Sequence, residues 1–549
     1  MALRVAVVGA GGSGLTCIKT CMEEGLEPVC FESSDDIGGL WNFKEDPVPQ
    51  RSSIYRSLVV NTSKEMMCFS DFPMPADYPN FMHHSQLLRY LRLYADRFQL
   101  LRHVRLQTTV KRVKQRPDFC TSGQWDVVTT SGDGEEECHV FDAVLVCSGH
   151  YTSSALPLLH LPGYETFSGR CLHSWDYKDG DVFRGKRVVV VGIGNSGGDI
   201  AVEISRSAEQ TFLSTRRGSW VMGRMSSGGL PFDMTLITRL NNTLLRLLPK
   251  SLLNWTVERE VNSRYDHRLY GLKPHHRILD RRPLINDDLP GRILQGALQM
   301  RAHLKGFTQS GVLFEDGSVE ENIDAVVFCT GYDGNFPFLP PALSGGGHEE
   351  LVLYKSLFPP SLSPPTLAMM GIFQTKGPIL PLVEMQARWA VKVFSGLSRL
   401  PSEEEMLEVV ECEKRRNMRS YPCPRKAALQ VDYIPYLDFM ADEVGVRPNL
   451  LKLLLRDPGL WARVYFGPCT PYQFRLRGPG RWAGARRAIF TQWERVARPF
   501  RTRPVPGPEG GLARCPSPRR MLMLAGAVMM AVFLSRKEPL SFWTGSRCS

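Results

Sequence analysis

The sequence has no CxxC pair, although it contains 14 cysteines among its 549 residues. Zinc ribbons and thioredoxin-like redox centres depend on dithiols with that spacing, so its absence argues against both. The cysteines are scattered from Cys17 to Cys548. This distribution is typical of a protein whose body faces the reducing cytosol.

Long hydrophobic runs are also scarce, which excludes a polytopic membrane protein. The chain starts with Met-Ala-Leu-Arg and enters a short apolar strand at residues 5–8, so we expect no signal peptide. Near the C-terminus, residues 521–534 form an apolar run without charge, after a linker rich in Pro, Gly and Arg. As a helix this run would rise about 21 Å, less than the roughly 30 Å of a bilayer core.

We therefore expect residues 521–535 to be a short membrane anchor, with the flanking Arg519, Arg520, Arg536 and Lys537 at the headgroups. The sequence leaves open whether this segment spans the membrane or lies in its interface. A buried core helix is the alternative.

The positive charge of the chain is concentrated in one segment. Lys and Arg number 67 against 56 Asp and Glu, a net charge of +11. Residues 481–549 alone contain thirteen basic and three acidic residues. A nucleic-acid-binding domain would place its basic residues on a folded face, so this distribution predicts no nucleic-acid partner. A basic C-terminal segment instead favours an anionic membrane surface.

A glycine-rich turn follows the first apolar strand. Gly9, Gly11 and Gly14 form a GxGxxG motif between a strand pattern and a helix pattern. Such glycines permit a tight turn, a close approach to a pyrophosphate, and close packing of helix on strand. The next strand ends in Glu32, whose carboxylate can accept hydrogen bonds from a ribose hydroxyl. The combination predicts a dinucleotide site suited to FAD, with residues 38–41 lying along the flavin.

A second glycine-rich turn differs from the first in the residues that end its next strand. Gly192, Gly194 and Gly197 come after a strand pattern at residues 186–191, which is apolar from Val188 onward. Where the first site has an acid, this one has Thr215 and Arg216. Removing the carboxylate and adding donors and charge suits a 2′-phosphate, so the second site is predicted to bind NADPH.

Residues 141–149 and 323–332 resemble one another, each being an Asp-Ala-Val strand that ends in a small residue and a glycine. We interpret them as the strands that close two nucleotide domains. The predicted fold class is therefore α/β, with two Rossmann-like domains, a discontinuous FAD domain with the NADPH domain inserted, and a C-terminal membrane-anchoring helix.

The predicted domain boundaries derive from this scheme. The FAD domain takes residues 1–150 and 331–440, and the NADPH domain 151–217 and 297–330. Residues 218–296 are an insertion, 441–520 a C-terminal segment with the basic linker, and 521–535 the anchor. Leucines at helical spacing in 236–248, and the Leu- and aromatic-rich stretch 450–466, leave two interpretations open. They form core helices, or they line a substrate passage or rest on the membrane.

In several motifs the chain resembles the flavin-containing monooxygenases of vertebrates. Residues 167–177 match the family motif FxGxxxHxxxY, and residues 328–332 match FATGY except for Cys329 in place of Ala. Residues 61–73 resemble the family's active-site Asn segment. Residues 61–67, 286–290 and 444–450 look most like the type-five branch.

The resemblance implies that NADPH reduces FAD and that the reduced flavin captures O2 as a C4a-hydroperoxide. One oxygen atom then enters a small lipophilic substrate. Likeness to the type-five branch favours Baeyer–Villiger oxidation of ketones to esters. Tyr177, where typical Baeyer–Villiger enzymes have Trp, favours the alternative, N- or S-oxygenation of amines and sulfides. An uncoupled NADPH oxidase that releases hydrogen peroxide is a further alternative.

The missing CxxC counts against a flavin disulfide reductase, a rival class with two nucleotide domains. The resemblance also implies an enzyme of xenobiotic metabolism on the endoplasmic reticulum membrane, recovered in microsomes. It would be anchored there by its C-terminus with the catalytic body facing the cytosol. Oligomerisation is left open.

The match to the family also assigns site residues. Asn61 is the expected catalytic residue, between flavin and nicotinamide, because its amide both donates and accepts hydrogen bonds without adding charge. No metal site is expected. The FAD contacts are expected at Gly9, Ala10, Gly11, Gly12, Ser13, Gly14, Glu32, Leu40, Trp41, Asn61, Thr62, Thr330 and Gly331. The NADP contacts are expected at Val60, Asn61, Gly192, Gly194, Asn195, Ser196, Gly197, Gly198, Thr215 and Arg216.

Overall fold

The computed structural model describes residues 2–49, 51–154, 156, 161–226, 228–344, 351–421 and 427–503. The predicted anchor at 521–535 and residues 504–520 of the linker lie outside these ranges. The chain divides into two compact units. The first unit consists of Met1–Asn61, His83–Arg224 and Asn254–Ile372, and the second of Thr62–Met82, Met225–Leu253 and the chain from Phe373.

The strands are short, and most of them belong to the first unit. In chain order they are β1 Arg4–Val8, β2 Glu27–Phe31, β3 Val104–Arg105, β4 Thr108–Gln115, β5 Trp125–Ser131, β6 Glu136–Phe141, β7 Ala143–Val146, β8 Ser153–Ser154, β9 Arg170–His173, β10 Arg187–Val191, β11 Gln210–Ser214, β12 Val221–Met222, β13 Leu284–Ile285, β14 Leu298–Arg301, β15 Leu304–Phe307, β16 Val312–Phe314, β17 Val319–Glu320, β18 Ala325–Phe328, β19 Tyr332–Asp333, β20 Leu367–Met369, β21 Gln374–Thr375 and β22 Gln430–Val431.

The longest helices follow residue 380. The helices are α1 Gly12–Glu23, α2 Lys64–Met67, α3 His84–Arg97, α4 Phe119–Ser122, α5 Asn195–Ile204, α6 Phe232–Leu236, α7 Arg239–Leu247, α8 Lys250–Asn262, α9 Leu289–Leu294, α10 Pro341–Ser344, α11 Leu380–Phe394, α12 Glu403–Met418, α13 Tyr433–Val444, α14 Leu450–Arg456, α15 Pro458–Tyr465 and α16 Ala485–Ala497. Short 3-10 turns occur at Gly39–Trp41, Leu100–His103, Tyr164–Thr166, Asp181–Phe183, Pro471–Arg475 and Arg498–Phe500.

The first unit contains a five-stranded parallel sheet in the order β20-β7-β1-β2-β3. Its central strand, β1, is buried from Val5 to Val8, as expected for a parallel strand covered on both faces. The neighbour β7 is the closing strand that the sequence predicts. Strand β20 comes from far along the chain, so the backbone returns to this sheet after residue 331.

A second five-stranded parallel sheet, in the same unit, has the order β14-β11-β10-β18-β9. The central β10 is again a run of valines, buried from Val188 to Val191. Its neighbour β18 is the second predicted closing strand. The sheet uses only residues between 170 and 328, so the two sheets repeat one arrangement: a central strand, the strand after it in the chain, and a closing strand on the other side. The Rossmann-type α/β prediction is confirmed in this form.

The second unit is mainly helical, and buried charges stabilise it. The Arg475 guanidinium, 2% exposed, lies 2.9 Å from Glu384 Oε1 and donates to Ser70 Oγ at 2.6 Å. Glu384 also accepts from the backbone N–H of Ser70 at 2.7 Å. Asp71 Oδ2 lies 3.1 Å from the same guanidinium. Loss of Arg475 would therefore leave two largely buried carboxylates without their cation, and breaking a buried ion pair usually costs about 3–5 kcal/mol.

The two leucine-rich stretches of the sequence form helices, but their leucines are not all in a core. In the second unit, Leu236 and Leu245 are about half exposed, and Leu451 and Leu455 are 68% and 75% exposed. Core packing is therefore the wrong interpretation for these side chains. Over the described ranges, no helix combines the length and the apolar character needed to cross a membrane.

Candidate functional site

The first glycine turn joins β1 to α1 and depends on the absence of side chains. Gly9 has φ +102°, and a Cβ there would lie 2.8 Å from the Cys147 carbonyl oxygen. A Cβ on Gly14 would lie 1.9 Å from the Gly9 carbonyl oxygen. Gly39 Cα approaches the backbone of Gly11 so closely that a Cβ on Gly39 would stand 3.1 Å from Gly11 Cα. The loop that the sequence places along a flavin thus passes directly beside the turn.

Glu32 lies at the end of β2 and points back into this turn. It is 5% exposed, and its Oε2 accepts a hydrogen bond from Ala10 N at 2.8 Å. Oε1 accepts from Ser34 N and Oγ at 2.9 and 2.7 Å, and from Arg51 Nη2 at 3.2 Å. Oε2 has this one protein donor and keeps capacity for a second hydrogen bond. A ribose hydroxyl can supply it.

The second glycine turn, between β10 and α5, repeats the geometry of the first. Gly192 has φ +109°, and a Cβ there would lie 2.6 Å from the Cys329 carbonyl oxygen. A Cβ on Gly197 would lie 1.8 Å from the Gly192 carbonyl oxygen. Gly194 differs, because a Cβ there would meet nothing within 4 Å. Its open side leaves the backbone accessible to a phosphate.

Thr215 and Arg216 follow β11 directly, beside the second turn. The pairing of Val191 with Ser214 brings the ends of β10 and β11 together. Thr215 Oγ1 accepts from Gly218 N at 3.1 Å. Arg216 is exposed and makes no hydrogen bond or ion pair within the part of the chain that the structure describes. Its guanidinium is therefore available to a 2′-phosphate.

Both turns fit a dinucleotide by a test that does not depend on the motif. The N-caps of α1 and α5 are Gly11 and Gly194, and neither helix has a side-chain hydrogen bond at its cap. The first N–H groups of a helix have no partner inside it, and the helix dipole makes that end positive. A pyrophosphate satisfies both requirements. The acid beside the first turn and the cation beside the second then match FAD and NADPH respectively.

Asn61 is held by a residue that the sequence did not identify. Arg224 Nη2 donates to Asn61 Oδ1 at 2.7 Å, and Arg224 Nε donates to the Val60 carbonyl oxygen at 3.2 Å. Asp287 binds the other side of the guanidinium, with Oδ2 at 2.9 Å from Nη1. With its oxygen occupied, the Asn61 amide is oriented so that Nδ2 remains a donor.

The remaining predicted contacts fall in three places. Leu40 and Trp41 lie in the turn Gly39–Trp41, beside the first glycine turn. Thr330 and Gly331 follow β18, whose pairing with β10 places them at the carboxyl edge of the second sheet rather than beside the first turn. Thr62 begins the second unit. All the predicted FAD and NADP contacts, these three and those at the two glycine turns alike, stay predictions.

Sequence reasoning missed Arg224, Asp287 and Arg51. None belongs to a motif of fixed spacing, and Arg224 and Asp287 are 63 residues apart. The parallel pairing of Val221 with Leu284 and Met222 with Ile285 brings these two side chains together. The contact between Arg224 and Asp287 therefore depends on tertiary structure, and no local sequence pattern indicates it. The stretch 286–290 stood out in the sequence only as a likeness to the type-five branch.

Comparison with known proteins agrees with this geometry. A family model described as flavin-binding monooxygenase-like matches residues 2–536. Flavin-containing monooxygenase 5 of Mus musculus is 51% identical over 96% of this chain and 99% of its own length. The N-oxide-forming dimethylaniline monooxygenase 2 of Cavia porcellus is also 51% identical, over 92% of this chain and 94% of its own. The S-allyl-L-cysteine S-oxygenase of Allium sativum superposes with a TM-score of 0.60 at 25% identity, covering 84% of this chain and 95% of that one.

The second glycine turn yields a paired prediction. Gly197→Ala places a Cβ 1.8 Å from a carbonyl oxygen, so we expect a loss of stability of about 2 kcal/mol or more and no NADP⁺ binding. Gly194→Ala meets no atom within 4 Å, so we expect the melting temperature to stay unchanged. Its methyl group would nevertheless weaken NADP⁺ binding about tenfold. Thermal denaturation and titration calorimetry measure the two effects, and equal melting temperatures for both variants would contradict this account of the turn.

Proposed function

Since the chain belongs to the flavin-binding monooxygenase-like family, we propose that it inserts one oxygen atom of O2 into small lipophilic substrates. It is an enzyme, an FAD-containing monooxygenase that uses NADPH. As its main reaction we propose Baeyer–Villiger oxidation of ketones to esters. The observation that carries the two-cofactor monooxygenase proposal is the pair of glycine turns with opposite neighbours, an acid at one and an arginine at the other. The choice of Baeyer–Villiger oxidation rests on the likeness of residues 61–67 and 286–290 to the type-five branch.

The chain's own residues bind and orient the two cofactors. FAD, once reduced by NADPH, supplies the activation of O2 and the transfer of one oxygen atom. The N-terminus of α1 would hold the FAD pyrophosphate and Glu32 its ribose. The N-terminus of α5 would hold the NADPH pyrophosphate and Arg216 the 2′-phosphate. These assignments use donors and acceptors that the fold leaves available.

Asn61 is the proposed catalytic residue, and Arg224 its immediate support. The 2.7 Å contact to Asn61 Oδ1 leaves Nδ2 to donate toward cofactor or oxygen. Since Asp287 pairs with Arg224, the guanidinium brings little uncompensated charge to the site. A neutral, oriented amide suits a site that must hold polar groups without protonating them.

The proposed domain division derives from the sheets. We propose that residues 1–150 and 331–440 form the FAD domain, with residues 151–217 and 297–330 inserted as the NADPH domain. Strand β20 supports this, because it joins the first sheet after the second sheet is complete. Residues 218–296 contribute Arg224 and Asp287 to the Asn61 site, so the insertion is more than a passage.

N- or S-oxygenation is the second candidate reaction. Tyr177 favours it, as does the 51% identity to a relative named for forming N-oxides. The likeness of residues 61–67 and 286–290 to the type-five branch favours ketone oxidation, and 286–290 includes the Asp287 that supports Arg224. Release of hydrogen peroxide without substrate oxygenation is the third candidate.

The reaction is tested with the purified full chain in detergent. We expect NADPH and ¹⁸O2 to convert an aliphatic ketone into an ester carrying one ¹⁸O atom, as measured by mass spectrometry. A thioether should be oxidised more slowly. Sulfoxide without any ester would reverse the order of the first two candidates. NADPH consumption recovered wholly as peroxide would favour the third.

The cofactor preference rests on Arg216. Arg216→Ala removes a charged donor from the 2′-phosphate site, so we expect the KM for NADPH to rise about 10- to 100-fold, as for loss of a charge-assisted hydrogen bond of about 1.5–3 kcal/mol. The KM for NADH should not change, because NADH has no 2′-phosphate. Arg217→Ala is the matched control and should have the smaller effect. Equal losses with NADH would contradict this role.

We also propose that the enzyme lies on the endoplasmic reticulum membrane with its body facing the cytosol. Helix α14 supports this within the described residues. It exposes Leu451 and Leu455 beside Lys452 and Arg456, and apolar side chains flanked by cations are typical of membrane-surface helices. The predicted anchor at 521–535 would add a second attachment.

Charging this helix tests the membrane proposal. The double substitution Leu451→Glu and Leu455→Glu removes two apolar side chains from the helix surface. Full burial of a leucine side chain contributes about 1.5–3 kcal/mol, which is the binding free energy that each can supply by entering the membrane. We expect the full chain to bind anionic vesicles at least about tenfold more weakly, measured by co-sedimentation. Leu397→Glu is the matched control, because Leu397 is 67% exposed in the same unit but lies away from α14 in sequence. Equal binding of the double variant and the control would refute a role for α14.

A further inference from the structure

Asp199 lies on α5, directly after Gly198 at the end of the residues predicted to hold NADPH, and the proposed chemistry does not use it. Its two carboxylate oxygens hold two separate segments of the first unit. Oδ2 accepts from the Tyr55 hydroxyl at 2.7 Å, and Oδ1 accepts from Asn286 Nδ2 at 2.7 Å. Both partners are 6% exposed. One carboxylate therefore joins the nucleotide-binding helix to the segment before Asn61 and to the segment that supports Arg224.

The branch through Asn286 reaches the Asn61 side chain in three contacts. Asp287, the next residue, accepts from Arg224 N at 2.8 Å through Oδ1 and pairs with Nη1 at 2.9 Å through Oδ2. Arg224 in turn donates to Asn61 Oδ1 at 2.7 Å. Each link includes a charged group, and Asp287 holds Arg224 by two contacts. A displacement of Asn286 therefore moves the support of Asn61.

The same helix is also fixed to β13, so the branch begins at the glycine turn itself. Asn195 Oδ1 accepts from Ile285 N at 3.1 Å. A Cβ on Gly198 would lie 2.8 Å from the Leu284 side chain, so the helix backbone packs directly against this strand. The residues expected to hold NADPH and the residues that orient Asn61 are thus parts of one packed cluster.

The charge of Asp199 is balanced at a distance rather than by a contact. Burial raises the pKa of its carboxyl, while the Tyr55 hydroxyl and the more distant Arg224 lower it. Within the described ranges it forms no ion pair. The carboxylate of Asp199 accepts hydrogen bonds only from neutral donors, and the cation that compensates its charge is Arg224. Asp199 and Arg224 are therefore coupled electrostatically as well as through the contacts between them.

We propose that Asp199 is a positioning residue that couples occupation of the second nucleotide turn to the orientation of the Asn61 carboxamide. The proposal rests on the proposed function, because it assigns NADPH to that turn and catalysis to Asn61. Acting through Asn286, Asp287 and Arg224, Asp199 keeps Asn61 Nδ2 in place while nucleotide is bound. Its loss would weaken nucleotide binding and misplace Asn61 together.

A double-mutant cycle on the full-length holoenzyme tests this coupling. Asp199→Asn keeps the shape of the side chain and removes its charge, and Arg224→Met removes the far end of the chain of contacts. NADP⁺ affinity is measured by calorimetry, without substrate. We expect each single variant to bind NADP⁺ about tenfold more weakly. If the two residues act in one network, their effects are not additive. We therefore expect the double variant to bind NADP⁺ at least about threefold more tightly than the product of the two single losses would give.

Two control variants separate positioning from general packing. Glu203→Gln removes the charge of a carboxylate that accepts from Ser57 Oγ at 2.7 Å, one turn further along α5, without touching Asn286. Tyr55→Phe removes only the other branch of Asp199. Neither should show coupling to Arg224→Met. If either one reproduces the full effect of Asp199→Asn, Asp199 merely anchors residues 55–57 and the proposal is wrong.

A second variant keeps the test open if Asp199→Asn does not fold. Asn286→Ser removes the donor to Asp199 but keeps an oxygen that can accept from Asp288 N and Leu289 N, as Asn286 Oδ1 does. It should also couple to Arg224→Met and raise the peroxide released per NADPH. Additive effects on NADP⁺ binding in both cycles would overturn the proposal. Absence of any oxygenated product, with coupling intact, would instead refute the proposed function.

Discussion

The close approach of a helix to the strand before it is the constraint on which both nucleotide sites depend. At the two glycine turns, a Cβ on the third motif glycine would stand 1.9 and 1.8 Å from the carbonyl oxygen of the first. No side chain fits at that distance, so glycine is required there by geometry. The approach directs the uncapped N-terminus of each helix to the carboxyl edge of its sheet. Anion binding then needs no residue of its own.

The two turns share their backbone geometry, and the residue at the end of the next strand is the basis for assigning them different ligands. Glu32 has its acceptors turned into the first turn, whereas Thr215 and Arg216 bring donors to the second. Because strand, turn, helix and strand succeed one another without interruption, this arrangement is encoded locally. That is why the sequence alone was enough to predict both turns, their central strands, the closing strands β7 and β18, and the contrast between acid and arginine.

The parts that the sequence did not predict depend on contacts between distant segments. Arg224 meets Asp287 because β12 pairs with β13. Each of these strands has two residues, which is too short to show the alternating pattern by which a strand is predicted. Arg51 reaches Glu32 from a loop without pattern. For the leucines of α7 and α14, helical spacing predicts a helix but does not identify what covers its apolar side. Burial depends on how the whole chain packs. In the structure, leucines of both helices are exposed, so these side chains do not belong to a core.

The support of Asn61 illustrates how a motif residue depends on residues outside the motif. An amide has a carbonyl oxygen and an amino group of nearly equal shape, and only a fixed partner on one of them decides which way it faces. Arg224 fixes the oxygen, and Asp287 keeps the arginine from acting as a free charge. If that pair were replaced by two neutral residues, Asn61 would keep its place in the sequence and lose its orientation. The orientation of the Asn61 amide therefore depends on residues 224 and 287 as well as on its own place in the chain. Substitutions in the segment that contains them would alter that orientation without changing either glycine turn.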